Sequence, residues 1–186
     1  SNNLKDTNNL RSRIINNLNF NSNDYISSSG FKNNWNIYSK NLNTVAKNDA
    51  LYKSSPQVEL MSIFEMQTSL PLIKFGNIYD TYITPKASLR FNPGDMKNYS
   101  SENRKISASN LFDINRLGLT DAFESGQSLT MGVEYKKENI ENINKYFEFN
   151  LGSVFRSKLE NDIPQSSSIN QKSSNLIGQL NSNFFD

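Results

Sequence analysis

Apolar and polar residues alternate one by one along several stretches of this chain of 186 residues. The clearest stretch begins at Ser128, where Leu129, Met131, Val133 and Tyr135 alternate with Ser128, Thr130, Glu134 and Lys136. Successive side chains of a β-strand point to opposite faces of a sheet, whereas a helix brings residues three or four apart to one face. The alternation therefore predicts strands with one apolar and one polar face, and it argues against helices.

The same alternation recurs elsewhere along the chain. It marks residues 31–41, 58–72, 81–91 and 147–155, and more weakly residues 11–20 and 176–184. Met61 and Ile63 interrupt the polar face of their segment. Pro85 has no N–H to donate to a ladder, so its position implies a bulge or a strand margin. We expect about seven strands, most of them near the roughly 10-residue length of a strand that crosses a membrane in a barrel.

The connections between these segments differ in length. Residues 21–24 and 139–144 form short polar links, whereas residues 92–127 and 156–174 form long ones that are rich in Ser, Asn and charge. Short turns at one end and long loops at the other are typical of an outer-membrane barrel. A soluble β-sandwich also has alternating strands joined by turns, so this alternative remains open.

Aromatic residues collect near the ends of the predicted strands. They are Tyr25, Phe31, Phe91, Tyr135, Tyr146, Phe155, Phe184 and Phe185. In a membrane barrel, aromatic side chains form girdles at the two interfaces between lipid and water. This placement favours the barrel over the sandwich. The aromatic content also argues against disorder, although only 35% of the residues are hydrophobic.

Composition excludes several functional classes. The net charge of +2 and the lack of a Lys/Arg cluster predict no nucleic-acid partner. The absence of Cys excludes disulfides and thiol chemistry, and the absence of His removes the commonest general base and the commonest metal ligand. We therefore expect no enzyme activity, no cofactor and no metal.

Several segments together resemble the barrel domain of the LPS-assembly protein family LptD, also called organic solvent tolerance protein. They read TSLPL (68–72), YITPKASLRF (82–91), NLFDINRLGLTDAFESGQSLTMGVEYK (110–136), FEFNLGSVFR (147–156) and SSNLIGQLN (173–181). The central block is the most specific, because Asn115, Arg116, Gly118 and Asp121 stand where the polar turn of the family expects them. The resemblance covers residues 56–186 well, and residues 1–55 only as generic barrel strands.

The resemblance implies an all-β fold, a partial antiparallel transmembrane β-barrel of about seven strands out of a larger one. Residues 1–186 would be an interior or near-C-terminal slice of that barrel domain, without the periplasmic jellyroll domain of the family. The implied location is the outer membrane of a Gram-negative bacterium. The implied function is transport of lipopolysaccharide through a hydrophilic lumen, with the acyl chains leaving sideways into the membrane.

The resemblance also implies partners. Besides lipopolysaccharide and outer-membrane lipid, these are an LptE-like lipoprotein plug in the lumen and an LptA-like periplasmic bridge that docks on the jellyroll domain. Two alternatives from other classes stay open. One is a porin-type or receptor-type barrel, and the other is a soluble β-rich binding or adhesin domain.

The first set of candidate site residues lies in the loop before the Ser128 strand. The resemblance predicts that residues 110–124 form an ordered loop folded over or into the barrel mouth, and that it helps to shape the exit for lipopolysaccharide. The candidates are Asn115, Arg116, Gly118 and Asp121. Asp113, Arg116 and Asp121 are able to pair with one another or with neighbouring strands.

The second set lies on the polar faces of the strands. Glu65, Lys86, Arg90 and Glu134 are predicted to face the lumen. In that position Lys86 and Arg90 could touch lipid phosphates, or they could pair with other charges of the lumen wall.

Overall fold

The computed structural model describes residues 9–183. It contains nine strands in one sheet, namely β1 (Leu10–Asn21), β2 (Tyr25–Ile26), β3 (Lys32–Lys47), β4 (Gln57–Ser69), β5 (Leu72–Lys74), β6 (Tyr79–Asn92), β7 (Gly126–Asn139), β8 (Tyr146–Arg156) and β9 (Ile177–Asn183). Phe184 and Phe185, two of the predicted girdle residues, and the end of predicted segment 176–184 lie outside the described residues.

All strand pairs are antiparallel, and the long strands follow one another in the order β1-β3-β4-β6-β7-β8-β9. The short strands β2 and β5 pair with β3 and β6 respectively. Within residues 9–183, β1 pairs only with β3 and β9 only with β8, so the sheet is open. The predicted all-β antiparallel fold is confirmed, and the predicted long connections emerge at one end of the sheet.

Two strand boundaries differ from the prediction. Segment 31–41 continues as β3 to Lys47, and segment 58–72 is divided between β4 and β5. Pro71 lies at this division, where it has no N–H to donate to a ladder.

We had expected Pro85 to lie at a bulge or a strand margin of β6, but it lies at neither. It pairs in register with Val133 near the middle of β6. Its carbonyl oxygen accepts a hydrogen bond from Leu70 N at 3.0 Å, beyond the last ladder pair of β4 and before the first of β5. The N–H that proline lacks therefore falls where the neighbouring strand changes from β4 to β5, outside the ladder pairs of both.

The two faces of the sheet have opposite polarity. The outward face carries exposed large apolar side chains such as Trp35, Phe64, Leu89 and Met131. The inward face carries buried charged residues: Glu65 is 0% and Arg90 is 2% exposed, whereas Leu89 beside Arg90 is 50% exposed. This polarity is the reverse of a soluble protein, in which charged side chains are rarely buried.

The long loops cover part of the inward face. Residues 93–125, here called the inserted loop, and residues 157–176 contribute buried apolar side chains that pack against the strands. From the loops these are Met96, Tyr99, Leu111, Leu117, Leu119, Ala122, Phe123, Ile163 and Ile169, and from the strands Leu42, Ala46, Met61, Ile63 and Val154. Met61 and Ile63 interrupt the polar pattern because they form the docking surface for the loops. The covered part of the inward face is thus a packed core.

Two glycines let the inserted loop approach the sheet closely. Gly132 of β7 and Gly152 of β8 are paired with each other. A Cβ on Gly132 would lie 3.1 Å from Phe112 Cε2, and a Cβ on Gly152 would collide with Leu111 Cδ2. The absence of side chains at this pair therefore makes the space that Leu111 and Phe112 occupy.

We predict that Gly152→Ala lowers the free energy of unfolding by about 1–3 kcal/mol, the usual cost of overpacking a core. The new Cβ would also lie 2.8 Å from the carbonyl oxygen of Met131, which cannot move without disturbing β7. The measurement is urea unfolding in detergent micelles, followed by the fluorescence of Trp35, the one Trp of the sequence.

The matched control is Gly178→Ala. Its Cβ would lie 3.2 Å from the flexible end of Leu151 and 3.6 Å from the Asn150 carbonyl oxygen, which is an ordinary van der Waals contact. We expect a change within about 0.5 kcal/mol for this control. Equal losses for the two variants would show that the loop does not rest on Gly152.

Candidate functional site

The inserted loop on the inward face is the candidate site. Asn92 Nδ2 donates a hydrogen bond to the Glu124 carbonyl oxygen at 3.1 Å and so joins the two ends of the loop. At the far end, Asn115 donates from Nδ2 to Leu119 O and accepts from Leu119 N, both at 2.8 Å. Gly118 lies inside this turn with φ of 64°, a conformation that favours glycine. Two of the four predicted loop residues, Asn115 and Gly118, therefore build the turn.

Arg116 points into the interior and binds Glu124. Its Nε donates to Glu124 Oε2 at 2.8 Å and its Nη2 to Oε1 at 2.5 Å, which is a two-pronged arrangement. Its Nη1 donates to Thr130 Oγ1 of β7 at 2.7 Å. Arg156 of β8 donates to the same carboxylate. Glu124 thus connects the loop to β8, and Arg116 connects it to β7.

The surroundings keep the Glu124 carboxylate ionised. Burial by itself raises the pKa of a carboxyl group, but the charges of Arg116, Arg156 and Arg90 outweigh this effect and lower the pKa of Glu124 to about 2. A buried carboxylate is tolerated here because the neighbouring guanidinium groups compensate its charge.

A second ion pair lies beside the first. Arg90 of β6 donates from Nε to Glu65 Oε1 of β4 at 2.7 Å, and Ser88 Oγ donates to the same oxygen at 2.9 Å. Arg90 Nη2 also donates to the carbonyl oxygen of Phe112 at 2.6 Å, which ties the sheet to the inserted loop. The pair is almost fully buried. Arg90 is therefore committed to the interior and does not face a water-filled space.

The other two predicted lumen residues form a separate pair. Lys86 Nζ lies 2.5 Å from Glu134 Oε1, and both side chains are partly exposed. Lys86 Nζ also lies 5.9 Å from the ring centre of Phe112, a residue of the inserted loop. The structure thus divides the four residues into a buried pair under the loop and an accessible pair beyond it. Their lumen-facing role stays a prediction.

Asp121 binds two tyrosines. Tyr52, from the connection between β3 and β4, donates to Oδ2 of Asp121, and Tyr99 donates to Oδ1. Burial raises the pKa of Asp121, but these hydrogen bonds lower it further than burial raises it. Burial and the bond to Asp121 raise the pKa of Tyr99. The cluster joins the inserted loop to the connection between β3 and β4.

Asp113, Arg116 and Asp121 do not pair with one another, so this expected alternative is wrong, whereas Arg116 does bond to a neighbouring strand, through Thr130 of β7. Asp113 is exposed, Arg116 binds Glu124, and Asp121 binds tyrosines. The physical reason is that the loop turns its basic residue toward the sheet, where Glu124 is already fixed beside Gly126 at the start of β7. Glu124, Arg156, Tyr52 and Tyr99 also belong to the site, although they were not among the predicted site residues. For Arg156, the available signal was its place in the alternation of β8, which puts its side chain on the inward face.

The charged residues of the site hold the inserted loop in position. Among residues 9–183, no group of three or more His, Cys, Asp or Glu side chains could hold a metal ion. The Glu124 and Glu65 carboxylates are occupied by arginines. In the same described range, no helix has the length and apolar character needed to cross a membrane.

We predict that Glu124→Gln lowers the free energy of unfolding by about 3–5 kcal/mol, because two buried guanidinium groups lose their counter-charge. Urea unfolding in micelles measures this loss. Glu141→Gln, in the exposed link before β8, is the control and should change stability by less than about 0.5 kcal/mol. A stable Glu124→Gln protein would mean that the carboxylate does not hold the loop.

Acid should release the same interaction. The pKa of Glu124 falls from an ordinary 4.5 to about 2 on folding, so its stabilising contribution is complete above about pH 4.5 and is lost as the pH falls toward 2. Asp121 acts in the same direction because its pKa is also lowered. We expect unfolding midpoints to drop below pH 4.5, and to drop less steeply in Glu124→Gln. Parallel pH profiles for the two proteins would contradict this assignment.

Comparison with known proteins identifies the family. A family described as LptD, LPS transport system D, matches residues 22–186, a range that includes β3 to β9 and all the site residues above. A search of curated proteins finds no match. Since the family match extends over most of the length of the chain, the chain belongs to the LptD family of lipopolysaccharide transport components.

Proposed function

We propose that this chain forms part of the outer-membrane translocon that assembles lipopolysaccharide at the cell surface. The observation that carries the proposal is the reversed polarity of the sheet, with exposed apolar side chains outside and charged residues inside. An apolar band of this kind is stable when it faces lipid, and alternation of lipid-facing and lumen-facing residues defines a membrane barrel. Membership of the LptD family indicates that the substrate is lipopolysaccharide.

The open edges of the sheet support a larger barrel. Hydrocarbon contains no water to satisfy free backbone groups, so a sheet in a membrane must close on itself. In the described part of the chain, β1 and β9 each have one unpaired edge. We propose that further strands of the same barrel pair with these edges, and that residues 1–186 belong to the barrel domain while the jellyroll domain lies elsewhere in the protein.

The inner surface offers a polar route beside the inserted loop. A groove of about 190 Å³ runs over β3, β4 and β6 and is lined by Lys32, Asn34, Gln67, Thr68, Ser69, Lys86, Ala87 and Phe112. We propose that the sugar and phosphate part of lipopolysaccharide passes along such polar surface while its acyl chains leave sideways into the membrane. Lys86 can contact phosphate because it is partly exposed, whereas Arg90 cannot because it is buried.

The inserted loop has a defined role in this proposal. It is anchored by buried ion pairs, so it narrows the barrel at one end without needing a partner to order it. An LptE-like lipoprotein plug would occupy the uncovered part of the lumen, and an LptA-like bridge would dock on the jellyroll domain. The protein itself would perform no catalysis.

The alternatives fit less well. A soluble binding or adhesin domain would expose an apolar sheet face to water, which leads to aggregation. A porin-type or receptor-type barrel would share the polarity of the sheet, but the family match favours lipopolysaccharide transport.

Site-specific crosslinking in cells tests the proposal. A photo-crosslinking amino acid replaces Lys86 in the full-length protein, and we expect an adduct with lipopolysaccharide that disappears when lipopolysaccharide synthesis is blocked. The control position is Lys158, which is exposed on the loop after β8. A folded protein that gives no adduct at position 86 would contradict passage along this surface.

A further inference from the structure

We propose that the outward face of β5, β6 and β7 binds the headgroup of an anionic phospholipid, at the end of the sheet that carries the short links. The site consists of Lys74, Thr81 and Lys137 and is here called the lysine row. The proposal rests on one part of the proposed function, which is the placement of the outward face against membrane lipid. It does not depend on the transport of lipopolysaccharide.

The strand register brings the three side chains of the row together. Lys74 of β5 pairs with Thr81 of β6, and Thr81 pairs with Lys137 of β7. Neighbouring strands lie about 4.8 Å apart, so the Cα atoms of the two lysines are about 10 Å apart. The alternation of β6 and β7 places the row on the same face as the exposed Leu89 and Met131. The outward face therefore presents one hydroxyl group between two ammonium groups.

The lysine row lies at the edge of the apolar band. The next outward row, toward the middle of the sheet, is apolar or aromatic and consists of Leu72, Ile83, Tyr135, Phe149 and Leu180. On the other side of the row, residues 75–78 belong to no strand. Irregular backbone does not occur against hydrocarbon, so the hydrocarbon ends at or before Lys74. The row is therefore at the level of the lipid headgroups.

The charges of the outward face favour an anionic partner. In the nine strands of the described residues, the charged residues at outward positions are Lys47, Lys74 and Lys137, and none is acidic. The acidic residues nearest to the row in the chain, Asp80 and Glu138, pair with each other on the inward face. Two of the three outward lysines thus lie in one row, with no carboxylate beside them on that face.

The polar groups of the row are available to a ligand. Within residues 9–183, neither lysine of the row forms an ion pair, and the Thr81 hydroxyl forms no hydrogen bond. Lys137 Nζ lies 5.0 Å from the ring centre of Tyr79, a contact that positions the ammonium group without neutralising it. A lysine has three N–H donors and a threonine hydroxyl has one O–H donor. These donors remain for the oxygens of a phosphate group.

The row borders a groove that the short link between β5 and β6 completes. The groove has a volume of about 340 Å³, and residues 76–79 line it together with the row. Two hydrogen bonds order this link. Gly76 N donates to Asp80 Oδ1 at 3.1 Å, and Ile140 N of the neighbouring link donates to Ile78 O at 3.0 Å. The groove is therefore present before any ligand binds.

The position and charge of the row select the occupant. Short turns lie on the periplasmic side of an outer-membrane barrel, so the row faces the inner leaflet. A phospholipid places its phosphate at the level of the row and its acyl chains along the adjoining apolar row. A zwitterionic headgroup would bring an ammonium group of its own, for which the row offers no counter-charge. An anionic phospholipid, such as phosphatidylglycerol, is the occupant that fits.

Competition between two lipids tests the proposal. The full-length protein in a neutral detergent is mixed with phosphatidylglycerol and phosphatidylethanolamine of identical acyl chains, and native mass spectrometry counts the bound molecules of each. We expect the tightest-bound molecule to be phosphatidylglycerol, preferred about 25-fold, because each lysine near an anionic headgroup contributes about fivefold. Binding of neither lipid would overturn the placement in a membrane and with it the proposed function. Equal binding of both would overturn only the lysine row.

Variants of the row locate the binding. Combined Lys74→Gln and Lys137→Gln should remove the preference for phosphatidylglycerol, and an unchanged preference would overturn the site. Thr81→Val keeps both charges and the branched shape but removes the hydroxyl group, so we expect the preference to fall about fivefold, the ratio that one net hydrogen bond provides. An unchanged preference in Thr81→Val would mean that the lysines attract anionic lipid without a defined site, which contradicts the proposal.

A matched control removes the same charge elsewhere. Lys47 and Lys53 are exposed at the opposite end of the sheet, where the long loops lie. Combined Lys47→Gln and Lys53→Gln should keep the preference, and its loss there would show that net charge alone causes it. Binding of phosphatidylethanolamine should be the same in all variants, which verifies that each one is folded.

Crosslinking in cells tests which lipid occupies the groove. A photo-crosslinking amino acid replaces Ile78, which is exposed and lines the groove, in the full-length protein. We expect an adduct with a glycerophospholipid, and an adduct with lipopolysaccharide alone would overturn the assignment to the inner leaflet. In the purified protein, displacement of phosphatidylglycerol by excess inorganic phosphate would show that a free anion is sufficient, and would overturn the assignment to a lipid.

Discussion

The contact between Glu124 and the two arginines, Arg116 and Arg156, is the interaction on which the interior depends. One partner lies on the inserted loop and the other on β8, so the carboxylate joins them across the inward face. Such a group gains little in free energy over a well-packed apolar one, but removal of any partner leaves a buried charge. The network therefore acts less as a source of stability than as a specification of how the loop must lie.

The inserted loop converts part of the inward face from a solvated surface into a packed core. A polar strand face would otherwise be wet along its whole length, but Leu111 and Ile163 of the loops and Met61 and Ile63 of β4 belong to one buried cluster that excludes water from the loop-side half. The accessible polar surface is restricted to the region around Lys86 and Glu134. The loop thus supplies a packed interior that the sheet alone does not have.

Several elements could be predicted from residue order because their causes are local. Alternation located every long strand, since side-chain direction in a strand depends only on position along it. Asn115 and Gly118 were recognisable as turn residues, and the turn they build spans a few residues. The main partner of Arg116, Glu124, was not predicted, because Arg116, Glu124 and Arg156 come together only when the loop folds onto β7 and β8. Pro85 was misplaced because its fit depends on a change of neighbouring strand.

The sequence by itself determined the strand character of the chain, the opposite polarity of the two strand faces and membership of the LptD family, because these are properties of local pattern and motif. Only the tertiary structure decided which charges are buried, which are accessible, and where the strands extend beyond their neighbours. Burial and register arise from contacts between residues far apart in sequence, such as Glu65 with Arg90 and Tyr52 with Asp121. No pattern along a single segment contains the position of its partner.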